Sequence, residues 1–314
     1  MPAILTHHIF GLELYQGLKP LIGESDAERD AFLLGNIGPD PLFCLRMLPH
    51  GIPYRDVGHD MHVEDPTSLL SAMHEHFVAR PGKTGPTVLK AYALGFVCHY
   101  LVDSLIHPLI YAEQHALCTA GIEGLDLEHG YHHTHSVIET ELDEYVLTTR
   151  LNTTVATFVP HRETLRCPYG ALNEISAAFP PVVSDVYGLP MLPTSFRSSV
   201  RIYRAAQLVL DAKRDGLRSH IDYARLVVNQ YHHILMFTHA DTLRYESFYA
   251  NNDHLPWHDL FDPDVIIDAS FDDLYAQAFE CAQQVLPQFA QLHFPESACE
   301  DLTQRINFRG QRIN

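Results

Sequence analysis

Apolar residues in this chain recur at the three-to-four spacing of a helix face, and convincing strand-like alternation is scarce. The pattern predicts a first helix over 6–21. Ser25 or Asp26 can cap a second helix that runs to Leu34. GNIGPDPLF (35–43) is rich in turn formers and reads as loop, and 49–65 reads as irregular. Pro66 and Thr67 open a helix reaching Ala79, and RPGKTGP (80–86) is a loop. YALGFVCHYLVDSLIHPLIY (92–111) is then a long apolar helix that Pro108 kinks or ends. Residues 121–131 read as loop, and a helix carrying HTHSVIETELDEYVL starts near His132. Six prolines from Pro160 to Pro193 mark a connector or wrapped loop, because Gly and Ser do not dominate it. A long amphipathic helix is expected from Ser198, broken near Gly216 and continuing to Tyr249. A loop at 251–268 holds the only tryptophan, Trp257. Ser270 and Asp273 form a capping-box pattern ahead of a last helix, and the tail after Pro295 looks ragged.

Chemistry enters with the interruptions of the apolar stretch. His99, Asp103 and His107 stand four residues apart, so on a helix they share one face. Burying a carboxylate and two imidazoles there is costly without a partner, and a cation is an economical one. A hydrogen-bonded core cluster is the competing reading of the stripe alone. Other candidates sit nearby in sequence. His135 and Glu139 are again one turn apart, Asp40 lies in the rigid turn GPDP, His59 and His62 lie in GHDMHVEDP, and His7 and His8 start the first helix. Five histidines and three carboxylates (His7, Asp40, His62, His99, Asp103, His107, His135, Glu139) suit two or three Zn2+ ions better than the all-oxygen set of calcium or magnesium. The His7/His8 and His59/His62 choices stay open.

Composition sharpens this. Of 22 histidines, twelve fall between His50 and His135. Formal net charge is -18, which argues against a nucleic-acid polymer and against electrostatic docking on anionic lipid. Hydrophobic residues make up 46%, ample for a core. The six cysteines form no CxxC pair, so a thiolate zinc knuckle is not expected and reduced, buried thiols are. MPAILTHHIFGLELYQG has neither a charged start nor a long apolar run, and no span long enough to cross a membrane is expected elsewhere. The default expectation is a cytoplasmic protein without stable membrane anchoring.

The order H…GPD…HxEDP…HYLxDxxxHP…HxxxE resembles the zinc-dependent phospholipase C family, related in fold to the S1/P1 nucleases. MPAILTHHIFG, LGNIGPDPLF, GHDMH, GFVCHYLVDSLIHP and HSVIETELD look like an intracellular bacterial branch of it. The likeness covers roughly residues 1–150, with a weaker echo at ESF and SFDDLYAQA. It implies one zinc held by Asp40, His62, His99 and Asp103, and a second by His107, His135 and Glu139. A third would be shared through Asp103 and His7. It also implies that Asp40 orients or deprotonates the attacking water. Two departures matter. In secreted members a mature N-terminal Trp completes the third site, whereas this chain starts at Met1. Those members also place five residues between the aspartate and the next histidine, while Asp103 and His107 are separated by three.

The expectation is therefore a single all-α domain over 1–314, with a metal-site half at 1–150, a proline-rich connector at 151–195 and buttressing helices at 196–314. Its expected activity is zinc-dependent hydrolysis of a small phosphoester or phospholipid head group, phospholipase C-like. Trp257, Phe261 and Tyr249 are candidates for the organic part of the substrate, though such aromatics are more often core. Two rivals are an HD-type phosphohydrolase, since His59–Asp60 is an HD dipeptide, and a non-catalytic metal-binding helical protein. His74, His76, His115, His132, His133, Glu113, His232, His233, His239 and Asp241 read as surface, packing or ambiguous positions.

Overall fold

The computed structural model describes residues 4–48, 52–79, 85–121, 126–127, 130–209 and 239–314. It is all-α apart from one two-stranded ribbon among these residues. Helix α1 (Ile4–Ile22) leads into α2 (Asp26–Gly35). Ser25 caps α2 in a full capping box, accepting from Glu28 N while Glu28 Oε2 accepts from Ser25 N. A 3₁₀ helix (Asp40–Met47), α3 (Val57–Val63) and α4 (Pro66–Met73) follow, the last continuing as a π turn through His74–Val78.

Helix α5 (Val88–Thr119) is the axis of the fold. It is long and apolar enough to cross a membrane, but 89% of its apolar window is buried inside this protein, which makes it a core helix here. Helix α2 crosses it where Gly35 meets Gly95. A Cβ on Gly35 would lie 2.1 Å from the Tyr92 carbonyl oxygen, and one on Gly95 would lie 2.1 Å from that of Phe32. Only glycine lets the two backbones come so close. Helix α6 (Tyr131–Leu151) packs beside α5 and α1. Then come α7 (Pro160–Glu163), α8 (Tyr169–Tyr187) and α9 (Ser195–Val209), with α9 against the 3₁₀ helix. The ribbon pairs β1 (Trp257–His258) with β2 (Ile266–Ile267). Helix α10 (Phe271–Phe289) lies along α5, and α11 (Glu296–Thr303) on α4. Ser270 caps α10 in the expected box with Asp273.

The structure corrects several expectations. Residues 57–63, read as irregular, form α3 and carry His59 and His62. Pro108 neither ends nor breaks α5. The Ser104 carbonyl loses its helical partner, yet buried Ile106, Leu109 and Ile110 hold the helix on course to Thr119. The proline-rich stretch is largely α8, which contains Pro180 and Pro181 because Ile175, Phe179, Val182 and Val183 bury its apolar face. Residues 239–250 are not helical, so the long helix expected up to Tyr249 does not reach it. Its break near Gly216, together with His232 and His233, lies outside the described residues, as does His50. The tail is not ragged: α11 and the turn after it pack into the core through Cys299 and Phe308. All six cysteines are free thiols.

His74 supplies a pH prediction. It is 4% exposed, donates from Nε2 to the Gln291 carbonyl at 2.8 Å and meets the rings of Phe289 and Phe294. Burial lowers its pKa below 6.5. The neutral form is thus favoured in the fold, and its stability contribution is complete above pH 6.5. Below that the unfolded chain takes up the proton first, so stability falls until the folded pKa is passed. Denaturation at pH 7 and 5 should show His74→Gln losing less stability on acidification than the wild type.

Candidate metal centre

Five elements aim side chains at one buried region. Helix α5 places His99, Asp103 and His107 along one face, as their spacing dictates. Asp40 begins the 3₁₀ helix straight after the Gly35–Gly95 crossing. Helix α3 brings His62, and α1 brings His7. Helix α6 brings His135 and Glu139 from the other side. All eight are between 0 and 8% exposed.

The donor atoms fall into three groups, each with its atoms within 4.8 Å of one another: His7, His99, Asp103; Asp40, His62, His99, which overlaps the first through His99; and His107, His135, Glu139. In the first two, His62 Nε2 lies 3.1 Å from Asp40 Oδ1 and His99 Nε2 lies 3.2 Å from Asp103 Oδ2. His7 Nε2 lies 3.0 Å from Asp103 Oδ1, and its ring stacks on His99 at 4.3 Å. In the third, Glu139 Oε1 is 3.0 Å from His135 Nε2 and 3.5 Å from His107 Nε2. Asp103 Oδ1 is also 3.6 Å from His107 Nδ1, so this carboxylate lies beside the third group as well. A cavity of about 20 Å³ lies between them, lined by Thr6, His7, Asp103, His107, Glu139 and Phe271 among others, which is room for one water-sized sphere.

The ring nitrogens facing away are committed. His62 Nδ1 donates to the Gly58 carbonyl at 2.6 Å, His99 Nδ1 to that of Asn36 at 3.1 Å, and His107 Nδ1 to that of Phe308 at 2.9 Å. His135 Nδ1 donates to Gln114 Oε1 at 2.9 Å, and Gln114 in turn donates to the Tyr131 carbonyl, which fixes its amide orientation. Carbonyl oxygens only accept, so the protons sit on Nδ1 and the neutral rings turn Nε2 lone pairs toward the carboxylates. His7 is the exception, since its Nδ1 makes no hydrogen bond.

Lone pairs facing carboxylate oxygens in a buried interior need a proton or a cation between them. Protonation is costly at two of the rings: burial pushes His62 down to about 3 against the pull of Asp103, and lowers His135 against that of Glu139, whereas at His107 Asp103 and Glu139 outweigh burial and raise the pKa. Burial works against the carboxylates too. It raises Asp40 to about 7, with Asp103 adding to the rise. Burial would likewise raise Asp103, but His99, His107 and a hydrogen bond with His7 hold it well below the usual range. Glu139 is lowered despite its burial by His135 and His107. Asp40 Oδ2, His99 Nε2 and Asp103 Oδ2 are buried without a hydrogen-bond partner. Imidazole and carboxylate donors with carbonyl-anchored rings are the donor chemistry of zinc, and these residues fit it.

The sequence profile of the family described as zinc dependent phospholipase C matches residues 6–175. The chain belongs to that family. No curated protein and no solved structure matches it. The family carries zinc dependence and phosphoester hydrolysis of the phospholipase C type, and all eight candidate ligands lie inside the matched span of the zinc-dependent phospholipase C profile.

The two histidine pairs differ in where their rings face. His62, not His59, faces Asp40; His59 is part-exposed on the same helix. His7, not His8, faces Asp103; His8 packs edge-on against Phe158. His59 and Asp60 do share a helix, but neither joins a ligand group among the described residues, which removes the basis for the HD reading. Glu113 and Trp257 line a separate cavity of about 980 Å³ beside the end of α5, together with Phe248 and Leu255. Phe261 meets Tyr111 edge-on at 5.6 Å, and Tyr111 stacks on His107, so Phe261 does approach the centre. Tyr249 is part-buried outside these groups. His239 pairs with Asp143 at 2.9 Å, and Asp241 accepts from Thr154 Oγ1.

Sequence reasoning missed the supporting residues. Asp143 accepts from Leu5 N, Thr6 N and Thr6 Oγ1, which pins the turn that delivers His7. Its signal was present, because 135, 139 and 143 continue one helical face. Gln114 stands two turns after His107 on α5 and was legible in the same way. Gly38, with φ +54° and a hypothetical Cβ 2.4 Å from the His99 ring, required the fold to be seen.

Proposed function

We propose that this protein hydrolyses phosphodiesters, phospholipase C-like, with two or three zinc ions held by His7, Asp40, His62, His99, Asp103, His107, His135 and Glu139. The observation that carries the proposal is the meeting of Asp40 Oδ2, His99 Nε2 and Asp103 Oδ2, each without a hydrogen-bond partner, in a buried pocket where the Nδ1 atoms of His62, His99, His107 and His135 are already committed. The first zinc falls to Asp40, His62, His99 and Asp103, the second to His107, His135 and Glu139. A third is shared by Asp103 and His7.

Zinc, when bound, supplies a Lewis acid for phosphoryl oxygens and a water acidified toward ~7. The chain's own groups do the rest. Asp103 spans the groups and sets their separation. Asp40, beginning the 3₁₀ helix, keeps one oxygen free of protein partners and serves to orient the attacking water and take its proton. Tyr111 and Phe261 offer an apolar contact next to His107 and His135 for the organic part of the substrate. The substrate class that fits is a small phosphoester or a phospholipid head group.

Elemental analysis of the purified protein, with assays on p-nitrophenyl phosphodiesters and short-chain phospholipids, tests this. The expected result is two to three zinc per chain and turnover that a chelator abolishes and zinc restores. Zinc without turnover would leave a structural metal centre and overturn the catalytic reading. Iron or manganese in its place would reopen the HD alternative.

A further inference from the structure

The family match ends at residue 175, yet the turn at 305–311 runs over the metal centre. Phe308 is fully buried. Its ring lies 5.3 Å from that of His62 and 5.8 Å from that of His99, centroid to centroid. Its carbonyl accepts from His107 Nδ1 at 2.9 Å. One residue, two hundred positions from the ligands, therefore touches rings of two different ligand groups.

The turn's place is fixed from several sides. Asn307 Oδ1 accepts from Arg309 N and Gln311 N, closing the turn, and its Nδ2 donates to the Val63 carbonyl at the end of the helix that carries His62. Tyr100, one residue after His99, donates to the Ile306 carbonyl at 2.9 Å. Arg305 pairs with Asp65 at 2.7 Å. Gly310 has φ +79°, and a Cβ on it would lie 2.4 Å from Cγ of Pro108, the residue after His107. The glycine is required by both its backbone conformation and the closeness of this contact.

We propose that this C-terminal turn is a positioning element of the metal centre, with Phe308 its principal residue. The ring holds His62 and His99 at their angles and keeps water from that side. The carbonyl keeps the proton of His107 on Nδ1 and fixes the tilt of its Nε2. Without it, His107 Nδ1 retains only the 3.1 Å bond to the Asp103 carbonyl on its own helix. The inference rests on the zinc reading above and adds a part of the centre that lies outside the matched family region.

Four variants of the full chain test it: Phe308→Ala, Phe308→Leu, Gly310→Ala and Phe289→Ala. Zinc affinity is read by chelator competition, and site geometry by the visible spectrum of the cobalt-substituted protein. Phe308→Ala should bind zinc about 10- to 100-fold more weakly, the range typical of lost outer-sphere partners, with a changed cobalt spectrum. Phe308→Leu, which like Phe308→Ala retains the backbone carbonyl, puts an apolar side chain back over the rings and should recover most of the affinity. Gly310→Ala drives the turn off Pro108 and should cost the His107–His135–Glu139 zinc first. Phe289→Ala removes a buried ring that packs on His74 and Phe294 instead, and should lower stability without moving affinity or spectrum.

Wild-type affinity and spectrum in folded Phe308→Ala or Gly310→Ala would overturn the inference, as would an equal shift in Phe289→Ala. Should Phe308→Ala not fold, Gly310→Ala against Phe289→Ala decides the matter by the same criterion. If the wild type itself binds no zinc, the proposed function falls and this inference with it. If the wild type binds zinc and turns over while the variants are unchanged, only the inference falls.

Discussion

Asp103→Ala should leave a folded, helical protein that has lost zinc from more than one ligand group and hydrolyses phosphodiesters at least about 10³-fold more slowly. The carboxylate lies within 3.0 to 3.7 Å of His7, His62, His99 and His107. Its removal takes away the charge that the converging imidazoles need to hold a dication in a dry site. Asp103→Asn should lose zinc nearly as badly, because a neutral amide keeps the shape but turns two donors toward the ligand pocket. His135→Ala should by contrast lose only the zinc it shares with His107 and Glu139. The helical content of both Asp103 variants should survive, since the core around Phe96, Leu94 and Leu109 is apolar and independent of the charge. Circular dichroism and metal counting on the same samples separate the effects. Full zinc content in Asp103→Ala would refute the ligand assignment.

Gly95→Ala is expected to be the most damaging conservative change away from the ligands. Its new methyl would meet backbone on three sides: the Phe32 carbonyl oxygen at 2.1 Å, Asn36 N at 2.8 Å and the Gly35 carbonyl carbon at 2.9 Å. Backbone cannot turn aside as a flexible side chain can, so α2 must move off α5. Overpacking of this kind costs about 3 kcal/mol or more. The damage also reaches the centre. Asn36, whose carbonyl receives the His99 proton, Gly38 beneath the His99 ring, and Asp40 all follow directly from the crossing. Thermal denaturation should show a large loss of stability, and zinc affinity should fall in parallel. Gly17→Ala, where nothing lies within 4 Å of the new methyl, should be neutral or slightly stabilising. Equal stability of Gly95→Ala and Gly17→Ala would contradict the close-crossing account.

Much of the candidate centre was legible because its candidate ligands obey local geometry. His99, Asp103 and His107, and again His135 and Glu139, sit one helical turn apart, and that spacing alone puts each set on one face. Ser25 and Ser270 announced their helices because a cap is a contact between residues three apart. The failures share the opposite cause. Pro108, Pro180 and Pro181 are helix breakers by local rule, and long-range burial of Ile106, Leu109, Phe179 and Val182 overrides them. Helix α3 is seven residues long, too short to declare itself by periodicity. The choice of His62 over His59 and of His7 over His8 depends on which side of a helix faces α5, a rotation that apolar packing sets.

The sequence by itself determined the class of fold, the zinc-type donor set and the family, because composition, helical spacing and motif order are properties of neighbours along the chain. Tertiary structure alone decided that Asp103 lies within reach of His7, His62, His99 and His107, that Gln114 and the carbonyls of Gly58 and Asn36 direct the imidazoles, and that Phe308 closes over them. Those contacts join residues up to about two hundred positions apart. Their energies come from desolvation and hydrogen bonding in a common interior, which no local pattern encodes.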